Sequence, residues 1–196
     1  MLTTILAIII AYLIGSLSSA IIVCRLMRLP DPRTQGSGNP GATNVLRIGG
    51  KKAALITLLG DALKGFLPVF IAKIFGLPDL TIALIALAAF IGHLFPLYFH
   101  FEGGKGVATL IGCLLALNWQ TSLCWIIVWI MMAILFRYSS LAALAASVLA
   151  PVFIWLFTGK LSWTLVLACM SVILVLRHHS NIKKLICGEE NKIGKK

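Results

Sequence analysis

Apolar runs long enough to cross a lipid bilayer constrain this chain more than anything else it carries. They fall at about 2–24, 53–75, 79–98, 107–117, 121–136, 139–157 and 161–176, as read from hydropathy along the chain. A bilayer core of about 30 Å takes on the order of 20 apolar residues per helix, which leaves room for roughly five to seven crossings and no separate soluble domain. Only 12% of the residues are charged, against about 25% in ordinary soluble domains. The sequence predicts an all-α integral membrane protein in which residues 1–196 form a single polytopic membrane domain. The first run has no basic leader, no small-x-small cleavage site and no lipidation motif, so it reads as a retained helix.

Positive charge sets the crossing count. Only NWQTS, residues 118–122, divides the stretch 107–136, which reads as one long helix, two short ones or a re-entrant hairpin. Cytoplasmic loops collect Lys and Arg. With two segments there and the N-terminus outside, fourteen of the 17 Lys and Arg residues fall inside, among them Arg25, Arg28, Arg33, Arg47, Lys51, Lys52, Lys105, Arg137, Arg177, Lys195 and Lys196. A single crossing would leave eight on each side. Seven helices, with the N-terminus outside and the C-terminus cytoplasmic, is therefore the expectation. The polar loop 25–52, the loop around 99–106, the RYSS turn and the C-terminal tail then share one face.

The net charge of +11 reports orientation or attraction to anionic lipid rather than to nucleic acid. Five cysteines, Cys24, Cys113, Cys124, Cys169 and Cys187, are odd in number and contain no CxxC, which argues against a disulfide framework or structural zinc. Helix packing should rest on small residues such as Ala142, Ala146 and Ala150, with a bend beyond Pro151.

Three polar stretches carry the chemistry. In GSGNPGAT, Gly36, Gly38 and Gly41 permit positive φ, and the run suits an anion-cradling nest, with donors from Ser37, Asn39, Thr43 and Asn44 and a guanidinium fork from Arg47. Gly36, Gly38 and Gly41 also match G-x-G-x-x-G, but no strand precedes them, and Ala42 stands where a Walker A loop needs lysine. In GHLFPLYFHFEGGKGVAT, Gly103, Gly104 and Gly106 surround Lys105 just before a helix whose N-terminus suits an anion. In RHHSNIKKLICGEENK, His178 and Asn181 share a face if the last helix continues. Asp61 and Lys64 lie within the second run, where they either neutralise each other or extend a polar cavity into the membrane. His93 reads as structural. No G-x-S-x-G, HExxH, carboxylate cluster, or histidine followed four residues later by aspartate is present, so triad and metal chemistry find no support.

Taken in order, these three stretches, with GDALKG and RYSSLAAL between them, resemble the bacterial acyl-phosphate:glycerol-3-phosphate acyltransferases, the PlsY family, over nearly the whole chain. The resemblance implies a multi-pass enzyme of the bacterial cytoplasmic (inner) membrane with its active site on the cytoplasmic side. It would move a fatty acyl group from acyl phosphate to the 1-hydroxyl of sn-glycerol 3-phosphate, independently of acyl-CoA, giving lysophosphatidic acid and inorganic phosphate. No cofactor and no metal are implied, and an acyl-phosphate-producing enzyme is the functional partner. Carried over residue by residue, Arg47, Lys105 and His178 are catalytic, while Ser37, Gly38, Asn39, Thr43, Asn44, Gly104, Ser140 and Asn181 bind substrate. His178 or a substrate phosphate accepts the hydroxyl proton. Glu102 and Lys184 replace a common lysine and arginine, whereas Glu190 and Lys192 match the tail pattern. The competing reading is a transporter of an anionic organic phosphate, which would need polar access from both sides. A CDP-alcohol phosphotransferase would need several aspartates for metal, and the six acidic residues are scattered.

Overall fold

A computed structural model describes residues 2–194; Met1 and the two inner cations Lys195 and Lys196 lie outside them. Among the described residues the chain forms nine α-helices and one short 3-10 turn: α1 Leu2–Gly15, α2 Ser19–Leu26, α3 Ala42–Ile74, α4 Asp79–Leu94, the turn Leu97–Phe99, α5 Val107–Leu117, α6 Trp119–Phe136, α7 Ser139–Thr158, α8 Leu161–Arg177 and α9 His179–Ile186. Four helices, α3, α4, α6 and α7, are long and apolar enough to cross a membrane, and α4 is counted together with the turn that follows it. The pairs α1–α2 and α8–α9, bent by 41° and 58°, bring the number to six if each pair is one span. The stretch 107–136 is two helices, because Asn118 ends the first and caps the second by accepting the Thr121 N–H at 2.8 Å.

The chain divides into two compact units, one up to Leu117 and one from Asn118. In the first unit α1 packs on α4, and α3 packs on α1, α2, α4 and α5. The approach of α3 to α5 is backbone to backbone. A Cβ on Gly112 would strike the Ala62 carbonyl, and one on Gly65 would strike that of Thr109. This is the close contact that small residues permit where lipid supplies no hydrophobic drive between helices. The break between α1 and α2 leaves the Leu17 carbonyl open, and the Lys64 ammonium donates to it at 2.6 Å. At the far end, Lys73 Nζ donates to the last carbonyls of α5, Ala116 at 2.7 Å and Leu117 at 2.9 Å. Such partners are what allow irregular backbone at membrane depth.

α3 starts at Ala42, eleven residues before the apolar run that announces it, and its two parts meet at Gly50 with φ 77° and ψ −173°. Only a residue without Cβ sits comfortably there. The sequence hides the first part because Thr43, Asn44 and Arg47, with Lys51 and Lys52 just beyond the bend, give this stretch the polarity of a loop.

In the second unit α7 packs against α6 and α8. Ala142, Ala146 and Ala150 are fully buried, as their spacing predicts, and α7 runs on through Pro151 to Thr158. Ser147 accepts the Trp125 indole N–H at 3.3 Å and its carbonyl accepts the Ser171 hydroxyl at 2.6 Å.

Gly112→Leu should force α3 and α5 apart. The expected loss is about 1–3 kcal/mol or more, the usual cost of overpacking. It should appear as a lowered Tm in lipid or detergent, whereas Leu115→Ala, on an exposed position of the same helix, should leave Tm nearly unchanged.

Candidate functional site

The loop entering α3 is organised around one side chain. Asn44 is 1% exposed. Its amide nitrogen donates to the Pro32 carbonyl at 2.8 Å and to that of Gln35 at 2.9 Å, and its Oδ1 accepts the Ser37 N–H at 2.9 Å. Gly36, at φ 62°, lies so close to that Oδ1 that a Cβ would collide with it. Asn44, read from the sequence as a donor to substrate, therefore spends both its donors on the loop itself. The Gly38 and Gly41 N–H groups also turn inward, to the Gln35 and Asn39 carbonyls at 3.1 and 2.9 Å. What the loop presents outward is the exposed Ser37, Gly38, Thr43 and Arg47. Gly41 caps α3 without a side-chain hydrogen bond. A helix N-terminus whose first N–H groups are uncapped, with Thr43 and Arg47 one turn apart on the same face, suits an anion.

The second loop follows α4. His100 and Phe101 take left-handed φ of 56° and 61°, and the Phe101 N–H closes onto the Pro96 carbonyl at 3.0 Å. Gly104 then returns to the end of α4, donating its N–H to the His93 carbonyl at 3.2 Å. Lys105, half-buried, follows, and Gly106 at φ 86° packs on Phe90 and leads into α5.

The two loops meet. A Cβ on Gly104 would lie 2.9 Å from the Pro40 carbonyl. Arg33, paired with Asp31 at 2.7 Å, reaches Glu102 at 3.0 Å and ties one loop to the other. The sequence offers no sign of this link, because Arg33 and Glu102 are 69 residues apart. The Arg33 hydrogen bond holds the Asp31 carboxyl below the usual carboxylate range, and the same bond raises the Arg33 guanidinium. Ser37, Gly38, Asn39, Thr43, Arg47, Gly104 and Lys105 are thus carried by two apposed loops of the first unit. Meeting there also requires the part of α3 before Gly50 to fold back. A straight helix would hold Ala42 about 28 Å from Asp61, whereas Asp61 lies 3.6 Å from His93, which touches Gly104.

In the second unit a different carboxylate is the organiser. Glu190 Oε1 accepts the Ser140 hydroxyl at 2.7 Å and the Asn181 amide at 2.8 Å. The tail is pinned there by Ile193, whose N–H donates to the Arg137 carbonyl at 2.6 Å and whose carbonyl accepts Arg137 Nη2 at 3.1 Å. The last helix does not continue through His178 as one rod. It bends between α8 and α9, and His178, 3% exposed, lies at the junction. His178 Nδ1 lies 2.8 Å from the Leu174 carbonyl. A carbonyl can only accept, so Nδ1 carries the hydrogen and the lone pair of the neutral ring is on Nε2. Among the described residues no three His, Cys, Asp or Glu side chains gather as metal ligands.

Two tests follow from this geometry. Asn44→Ala removes three hydrogen bonds and strands the buried Pro32 carbonyl, a loss of about 1–3 kcal/mol, and should lower Tm. Ser37→Ala, on an exposed residue, should leave Tm unchanged. Asp31 contributes stability that is complete above about pH 5 and shrinks below about pH 4, where the unfolded chain takes up the proton first. The Tm difference between the parent and Asp31→Asn should narrow over that acid range.

Comparison with known proteins places this geometry. The pattern of the glycerol-3-phosphate acyltransferase family matches residues 5–188. A glycerol-3-phosphate acyltransferase of Methylococcus capsulatus is 55% identical over 186 residues, covering 95% of this chain and 94% of its own. One of Vibrio vulnificus is 53% identical over 188 residues, covering 96% and 92%. The crystal structure of PlsY (YgiH), an integral membrane glycerol 3-phosphate acyltransferase, in its glycerol 3-phosphate form matches with a TM-score of 0.94 at 35% identity, over 98% of this chain and 96% of that one. Its lysophosphatidic acid form matches with a TM-score of 0.91 at 34% identity over the same shares. The chain is an integral membrane protein of the glycerol-3-phosphate acyltransferase family to which PlsY belongs.

Proposed function

We propose that this protein transfers a fatty acyl group from acyl phosphate to the 1-hydroxyl of sn-glycerol 3-phosphate, releasing lysophosphatidic acid and inorganic phosphate. The observation that carries the reading is the apposition of two loops that bring Arg47, Lys105 and the uncapped start of α3 to one part of the first unit. Both substrates carry phosphate, and two cations beside a helix N-terminus are what two phosphates need. The donor supplies the rest. An acyl phosphate is a mixed anhydride whose phosphate leaves readily, so positioning and charge stabilisation suffice without a strong general acid.

Arg47 and Lys105 bind the phosphates in this scheme, with Ser37, Gly38, Asn39, Thr43 and Gly104 forming their loops. Asn44 acts by holding the first loop in shape. Ser140 and Asn181, held by Glu190, bind substrate in this scheme, and His178 Nε2 accepts the hydroxyl proton. The donor would come from an enzyme that makes acyl phosphate, with the reaction on the cytoplasmic side of a bacterial inner membrane. The distribution of Lys and Arg supports seven crossings in a single polytopic domain, N-terminus outside and C-terminus inside. The bent pairs α1–α2 and α8–α9 each count as one, and the short α5 is the seventh.

Purified protein in lipid, given palmitoyl phosphate and labelled glycerol 3-phosphate without added metal, should yield labelled lysophosphatidic acid. Palmitoyl-CoA should yield none, and Lys105→Ala should lose about 100-fold or more of kcat/KM. Product from palmitoyl-CoA alone would overturn the donor assignment. His178→Asn should lower kcat at near-constant KM. A raised KM with kcat intact would make His178 a binding residue and pass the proton to a phosphate oxygen.

A further inference from the structure

Asp61, Lys64 and His93 form a buried polar cluster that the proposed chemistry does not use. They are 2%, 5% and 6% exposed. Lys64 Nζ lies 2.9 Å from Asp61 Oδ1 while donating to the Leu17 carbonyl, so it both neutralises the carboxylate and is anchored in place. The same Oδ1 lies 3.6 Å from His93 Nδ1. Across the ring, His93 Nε2 faces Gly104 so closely that a Cβ there would collide with it. The His93 carbonyl accepts the Gly104 N–H at 3.2 Å. Gly104 in turn abuts Pro40, where the two loops meet.

An Asp–Lys pair inside a membrane needs no third member to be neutral. Here the carboxylate nevertheless lies beside the one ring nitrogen that points away from the loops. At 3.6 Å the carboxylate acts on the ring by charge rather than by a hydrogen bond, favouring the rotation that keeps Nδ1 toward it, and the far nitrogen then faces Gly104. We propose that His93 is a positioning residue for the glycine–lysine loop. Asp61 orients the ring, and the ring and backbone of His93 together seat Gly104, and with it Lys105, against Pro40. The inference rests on the reading of Lys105 as a phosphate ligand.

The test uses the full chain in lipid, with kcat and both KM values measured for His93→Phe, His93→Gln and Lys105→Ala, and hydrogen–deuterium exchange followed over 101–107. His93→Phe keeps an aromatic ring without its nitrogens. It should raise the KM of a phosphate substrate about tenfold or more, since misplacement of a positioned group by about 1 Å has costs of that order and beyond. Exchange over 101–107 should quicken by about tenfold while the rest of the chain is unchanged. His93→Gln, which places an amide nitrogen near the Nε2 position, should return KM to within about threefold of the parent. Parental KM and exchange in His93→Phe would overturn the proposal. Exchange that quickens evenly along the chain, with no rescue by glutamine, would overturn it too and leave His93 as packing alone. Full activity in Lys105→Ala would instead sink the phosphate-ligand reading, and exchange over 101–107 would still show whether His93 seats the loop.

Discussion

Hydrocarbon offers no water to a broken backbone, and three interruptions among the described residues are met by a side chain that stands in for it. Lys64 fills the α1–α2 break, Lys73 closes α5 and Asn44 holds the strand of loop before α3. All three side chains project from α3. The two parts of α3 thus carry the polar groups that let their neighbours be irregular, and irregular backbone is where functional side chains can be aimed. Burying Lys64 is unfavourable unless both its charge and its hydrogens are satisfied. Asp61 answers the first need and the Leu17 carbonyl contributes to the second.

The two units solve the same problem in different chemistry. The first fixes its loops with a neutral amide, close glycine contacts and the Asp31–Arg33–Glu102 charges. The second gathers Ser140 and Asn181 on one carboxylate oxygen of Glu190. The organisers spend their polar atoms on neighbours in the fold and leave exposed groups such as Arg47 and Ser37 to face outward.

Composition and charge reveal an all-helical membrane protein, and the glycine-rich stretches stand out in it because flexible polar backbone is costly in lipid. What they do not reveal is division of labour. Asn44 looks like a ligand and acts as a strut. Glu190 looks like part of a solvated tail and is a hub, since its partner Ser140 is 50 residues away. His93 looks like core, yet its carbonyl accepts the Gly104 N–H of the second loop. Nothing in local periodicity reports a contact across such separations, and the polar face of Ala42–Gly49 masks a helix as a linker. Only the glycines gave partial notice, as Gly36 and Gly106 are required by close approach as much as by φ, and Gly104 by close approach.

The shortness of α5 has its own meaning. Eleven residues rise about 16 Å, roughly half of a 30 Å hydrocarbon core. Lys73 grips the far end of α5 where α3 finishes, so the two helices end level with each other. A helix too short to carry both of its ends to water needs partners for its last carbonyls, and α5 takes them from α3.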